Sequence, residues 1–144
     1  MGRHHAEVAE RQRVAAYGVC IDEKGRLLLA RASRSLSIRG HWFLPGGGIE
    51  HGESPPQALR REIAEESGLT VEVGPLLTVL SDVRVLPDGL SLHTLRVIYR
   101  VTSWTGTLRA EQGGTTDAVR WCTKNELAAL PLSAYVQEVV REFV

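Results

Sequence analysis

The chain has 144 residues, 43% hydrophobic and 24% charged, with 17 basic side chains balanced by 17 acidic ones. That length accommodates one domain with a hydrophobic core of its own, and the balanced charge removes the general electrostatic reason to expect a nucleic-acid polymer or a membrane as partner. An ordinary apolar share and only two cysteines exclude a disordered chain and a disulfide-stapled scaffold.

Met1 to Arg13 is polar and lacks the apolar stretch of a signal peptide, so residues 1–13 read as a flexible N-terminal segment and a cytoplasmic location is expected. Residues 14–144 then form a single domain. Val14 to Ile21 and Leu27 to Ala30 are apolar runs around Asp22-Glu23-Lys24-Gly25, which has turn chemistry; the pair reads as a β-hairpin. After a polar loop over 32–41, Trp42-Phe43-Leu44 is a short extended piece stopped by Pro45. Gly46, Gly47 and Gly48 fit neither a helix nor a regular strand interior and read as a loop. Ser54 followed by Pro55 starts a helix, and Gly68 is placed to end it in a left-handed cap, giving Pro55 to Ser67 with Ala58, Leu59 and Ile63 as the buried stripe.

Val71 to Val85 reads as one or two strands, Pro87-Asp88-Gly89 as a turn and Leu92 to Trp104 as a long strand rich in β-branched and aromatic residues, which makes a second hairpin. Val119 to Cys122 is a further strand. Thr123 and Glu126 have capping-box spacing for a short helix that ends before Pro131, and Ser133 is placed to cap a last helix whose Tyr135, Val136, Val139, Val140 and Phe143 recur at core-packing intervals. Cys20 and Cys122, inside apolar runs, suit buried reduced thiols. The order, strands flanking a central helix with two helices at the end, indicates a mixed α/β domain.

Glu62, Glu65 and Glu66 stand three and four apart, so their carboxylates share one helix face and can converge. Like charges four apart destabilise a helix by roughly 0.2–0.5 kcal/mol. Glu65 and Glu66 also occupy the negative end of the dipole, at roughly 0.3–1 kcal/mol each. Such a helix makes sense if a divalent cation with a preference for hard oxygen ligands sits there; a solvated acidic face is the plain alternative. The surrounding residues decide between them. Gly47, Glu53, Arg61-Glu62-Ile63, Glu65-Glu66 and Gly68-Leu69 match the Nudix box at every defined position, a coincidence with a probability on the order of 10⁻⁷ or less in an unrelated chain of this length. The chain resembles the Nudix family from Val14 onward.

The resemblance implies a Nudix α/β/α sandwich with a mixed β-sheet and a loop-helix-loop catalytic element. It also implies hydrolysis of a phosphoanhydride in a nucleoside diphosphate linked to another group, dependent on Mg²⁺ or Mn²⁺. It assigns Glu62 and Glu66 as main metal ligands, Glu65 as a further ligand or the carboxylate that orients water, and the Gly46 carbonyl as a backbone ligand. Arg61 would orient its neighbours, and Glu53 would brace the loop or pair with Arg61. The general base comes from the box or from a distant loop, where Glu111 is the first candidate and Asp117 the second. For the substrate, Arg31, Arg34, Arg39 and His41 gather near the loop before Trp42 as phosphate contacts, and Trp42 or Phe43 could stack on a base or simply belong to the core. His93, Arg96 and Arg100 lie on the long strand with their facing open. The leading substrate class is (d)NTPs, oxidised ones included, acted on as small-molecule nucleotides. Hydrolysis of ADP-ribose or nucleotide sugars, in which a homodimer often builds the pocket, and a nucleotide-sensing module without turnover are the alternatives.

Overall fold

The structure, a computed structural model, describes residues 9–32, 40–109 and 116–144, with Thr116 and Asp117 by backbone alone. In chain order the elements are β1 (Glu10–Val19), β2 (Leu27–Ala32), β3 (Trp42–Phe43), β4 (Gly46–Gly48), α1 (Pro55–Ser67), β5 (Thr70–Val85), β6 (Ser91–Thr105), β7 (Thr116–Cys122), α2 (Lys124–Ala129) and α3 (Ala134–Phe143). Among the described residues, four strands form a sheet in the order β4-β1-β6-β5 and three form a second in the order β3-β2-β7. The larger sheet is mixed: β1 runs parallel to β6, while β4 and β5 are antiparallel to their neighbours.

Helices cover both sides, which is why the apolar runs at β1 and β2 are nearly unbroken. Ala15, Tyr17 and Val19 of β1 and Leu27 and Leu29 of β2 enter a core with Tyr135, Val136 and Val139 of α3. Their neighbours Ala16, Cys20 and Leu28 enter a second core with Leu59 and Ile63 of α1. Both α1 residues are fully buried, worth about 1.5–3 kcal/mol each in apolar transfer. Gly18 lets the helix in: a Cβ there would meet Val101 at 2.9 Å and Ile63 at 3.4 Å.

The expected mixed α/β layering is found, and the second hairpin is present as β5 and β6, closed by Gly89 at φ +88°. β5 is one strand whose register shifts between Glu72 and Thr78. Pro75 lies within that irregular stretch, and its missing N–H is tolerated because β5 is the outer strand of its sheet.

Four expectations are corrected. β1 and β2 do not form a hairpin ladder: beyond a single bridge at Ile21 and Leu27, and the bond from Leu28 N to Cys20 O at 3.0 Å, they diverge into different sheets. The turn forms locally, with Asp22 Oδ1 accepting from the amides of Lys24 and Arg26, but longer ladders with β6 and β7 take the two strands apart. The glycines 46–48 are a strand, not a loop, because ladder bonds to Ala15, Ala16 and Tyr17 involve backbone alone. Residues 10–13, assigned to a flexible segment, open β1 and pair in register with Ser91 to Thr94 for the same reason. Ser133 sits at the N-cap of α3, but its side chain makes no capping bond.

No helix among the described residues is long and apolar enough to cross a membrane. Both cysteines are free and fully buried. Burial pushes the Cys20 thiol up to about 12 and raises that of Cys122. Neither should form a thiolate at neutral pH, so a maleimide should label them only in denaturant; rapid labelling of the native protein at pH 8 would contradict this packing.

Candidate active site

The site is built on α1 and the glycine strand beside it. Both ends of the helix are set locally. Gln57 N donates to Ser54 Oγ at 3.3 Å while Ser54 N donates to Gln57 Oε1 at 2.9 Å, and Gly68, at φ +78°, returns its N–H to Ala64 O at 3.0 Å. With Leu59 and Ile63 turned into the core, the glutamates one step around the helix are carried towards β4.

The three glutamates meet different surroundings. Glu66 is buried, 6% exposed, and its Oε1 accepts from Gly46 N at 2.8 Å. Glu62 lies against Gly47 so closely that a Cβ at that glycine would stand 2.7 Å from its carboxyl carbon. Glu65 is half exposed and reaches only as far as Arg61, at 3.5 Å.

Arg61 binds this region together. Its Nε and Nη2 grip both oxygens of Glu53 at 2.8 and 2.9 Å, Nη2 also donates to Gly48 O at 3.0 Å, and Nη1 donates to Glu62 Oε1 at 3.0 Å. The fork, helped by the Glu50 amide at 2.9 Å, holds the Glu53 carboxyl down to about 2, and Glu53 in turn raises the pKa of Arg61. Helix, loop and glycine strand are therefore tied by one guanidinium.

Glu62, Glu66 and Gly46 to Gly48 line one end of a cavity of about 810 Å³. The space continues over the inner face of the larger sheet and under the segment that leads into α3. Of the residues expected to contact substrate, His41 and Phe43 line it. Trp42 belongs to the core at 5% exposure, with the guanidinium groups of Arg31 and Arg120 over its ring at 5.6 and 5.7 Å. Arg31 thus packs on Trp42 and is not among the described residues of the cavity wall. Arg34, Arg39 and Glu111 lie outside the described residues, as does the side chain of Asp117.

Several wall residues escaped the reading of the sequence. Arg13, which the sequence assigns to the N-terminal segment, continues the inward alternation of Ala15, Tyr17 and Val19. Its Nη1 donates to Tyr17 OH at 3.4 Å. Tyr135, read as core, packs on Tyr17 at 5.1 Å and Phe43 at 6.2 Å and so carries an aromatic wall. Asp82 and Arg84 of β5 and Thr94 of β6 form the floor together with Arg96, whose facing the sequence leaves open; His93 and Arg100 are not among the described residues of the lining. The available signal was polar residues at period two in strands that are otherwise apolar.

A model of the NUDIX domain matches residues 11–143 of the chain. The chain belongs to the Nudix family and is a Nudix hydrolase. It is 35% identical over 99 residues to an 8-oxo-dGTP diphosphatase of Proteus vulgaris, covering 68% of this chain and 83% of that one. It is 32% identical over 131 residues to the nucleoside triphosphatase NudI of an Enterobacter species, covering 85% and 90%. The crystal structure of a MutT Nudix hydrolase from Burkholderia pseudomallei superposes with a TM-score of 0.80 at 27% identity, over 93% of this chain and 99% of that one.

Nudix hydrolases generally use divalent metals, and the residues here fit one. The donors are carboxylate and carbonyl oxygens, the hard set that Mg²⁺ selects, and the missing side chain at Gly47 keeps open the space into which Glu62 projects. Among the described residues no group of three His, Cys, Asp or Glu stands ready-made to hold an ion. Mg²⁺ usually takes only one or two protein carboxylates and fills its shell with water and phosphate. Glu62 and Glu66, facing the same cavity, satisfy that requirement.

The contact at Gly47 is a sensitive test. Its φ is ordinary, so Gly47→Ala meets only the end of the Glu62 side chain. The variant should keep its fold, seen as an unchanged circular dichroism spectrum, and lose at least about tenfold in kcat as the carboxylate is displaced; full activity would show that Glu62 can move without consequence.

Proposed function

We propose that this Nudix hydrolase acts on nucleoside triphosphates, deoxynucleotides and their oxidised forms included, and releases pyrophosphate and a nucleoside monophosphate. The observation that carries the reading is a cavity with Glu62 and Glu66 at one end and Phe43, Tyr135 and a polar strand floor elsewhere along its wall. A space of about 810 Å³ is within the range that takes small ligands. The relatives named as 8-oxo-dGTP diphosphatase and nucleoside triphosphatase support the same substrate class.

In this reading Glu62, Glu66 and the Gly46 carbonyl would hold Mg²⁺ or Mn²⁺, and Glu65 would serve as a further ligand or orient the attacking water. A bound divalent ion supplies positive charge at the phosphate chain and makes water a better nucleophile at neutral pH. Arg61 fixes the direction of Glu62 by its 3.0 Å bond, and Glu53 fixes Arg61. The amide of Gly46 holds Glu66 in place, so that the geometry exists before substrate arrives. Water adds to phosphorus, the phosphoanhydride P–O bond breaks in line, and the proton of the water passes to a carboxylate; Glu65 and Glu111 are the candidates.

The test is incubation with Mg²⁺ and a panel of four dNTPs, 8-oxo-dGTP and ADP-ribose, with the phosphate-containing products identified. Pyrophosphate from a triphosphate is expected. A pair of monophosphates from ADP-ribose alone would replace this reading with that of a sugar-nucleotide hydrolase, and no product from any compound would indicate a binding module. Glu66→Gln keeps an oxygen for the Gly46 amide, so it should melt as the wild type does while turnover falls by at least about 10²-fold; near-normal turnover would displace Glu66 from the metal site.

A further inference from the structure

Register places a second functional cluster on the cavity floor, opposite the glutamates. Arg13 of β1 pairs with Thr94 of β6, and Thr94 with Asp82 of β5, so these three side chains form one row on the inner face. Ala15, Arg96 and Leu80 form the next row. Arg96 Nη1 is ion-paired to Asp82 Oδ2, and its guanidinium lies over the Tyr135 ring at 4.4 Å. Arg96 is mostly enclosed, its side chain 15% exposed, and its Nε is buried without a hydrogen-bond partner. Asp82 is half exposed, so a clamped guanidinium presents a carboxylate to the cavity.

Position and chemistry together restrict what would meet Asp82. Gly47, against which Glu62 rests, is on one outer strand of the sheet, and Asp82 is on the other. Three strand spacings separate them, about 14 Å across the sheet. An extended nucleotide whose phosphate chain lies at Glu62 would bring its base to β5. A carboxylate repels a second phosphate there and can only accept hydrogen bonds. Guanine offers it two adjacent N–H donors, on N1 and the exocyclic amine, with the O6 carbonyl beside them for an arginine donor. Adenine and cytosine offer one amino group next to a ring acceptor, and thymine one N–H between two carbonyls. Oxidation at C8 leaves the N1 edge of guanine in place.

We propose that Asp82, held by Arg96, determines nucleobase specificity and selects guanine, whether or not it is oxidised at C8. The inference rests on the nucleotide reading above and is tested apart from turnover. Binding of dGMP, dAMP, dCMP and dTMP is measured by calorimetry on the full chain, wild type and Asp82→Asn, alongside hydrolysis of the four dNTPs with Mg²⁺. The wild type should bind dGMP at least about tenfold more tightly than the other three. Asp82→Asn should lose that advantage while binding the others unchanged, and Asp82→Ala should do the same. Equal binding of all four by the wild type, no binding of any, a preference that survives in both variants, or a uniform loss for every base would each overturn the assignment. If the dGMP preference behaves as expected but no triphosphate is cleaved, the hydrolytic reading of the substrate fails and the role of Asp82 stands.

Discussion

The site depends on how closely α1 approaches a strand that has no side chains. Glu62 and Glu66 reach the cavity because β4 is Gly46-Gly47-Gly48. At Gly46 a Cβ would stand 2.1 Å from the Ala16 carbonyl oxygen, and at Gly47 it would meet the Glu62 carboxylate. The same approach lets the Gly46 amide bond to Glu66, and it brings Gly48 O within reach of Arg61. A side chain at Gly46 would drive β4 off β1, and one at Gly47 would displace the Glu62 carboxylate.

Seen from this contact, the concentration of negative charge at the C-terminal end of α1 is partly compensated inside the protein. Glu62 has an arginine at 3.0 Å and Glu66 a backbone amide at 2.8 Å. Charge-assisted bonds of this kind offset the desolvation of a carboxylate, so the fold can assemble around the cluster without an ion present. What the helix dipole and the repulsion between Glu62 and Glu66 leave uncompensated is available to a cation. The same carboxylates thus tie the element together and line the cavity.

The Nudix box was legible because its demands are local. A capping serine, a left-handed glycine and glutamates three and four apart act within a few residues of one another, and the helix runs over Pro55–Ser67 as its sequence indicates. The pairing of Arg61 with Glu53 was equally accessible, since both lie within or beside one helix. The hairpin at Asp22 misled for the opposite reason. Its turn chemistry is real, but a turn specifies only that the chain reverses, and partner choice for β1 and β2 was settled by ladders with β6 and β7. Trp42 and Phe43 show the same limit at the scale of one residue: alternation along β3 sends Trp42 into the core and Phe43 to the cavity wall, and that facing depends on which sheet the strand joins.

By itself the sequence determined the family, the helix of the Nudix box with its ends, and the carboxylates of the candidate site, because each follows from relations between near neighbours in the chain. Only the tertiary structure decided that Arg13, Thr94 and Asp82 share a row, that Tyr135 closes on Tyr17, and that Arg31 packs on Trp42. Those contacts join residues up to 118 positions apart, as Tyr17 and Tyr135 do. They depend on which strands and helices are brought side by side, which a residue's neighbours in the chain do not fix: the pattern along a strand marks its faces but not its partner.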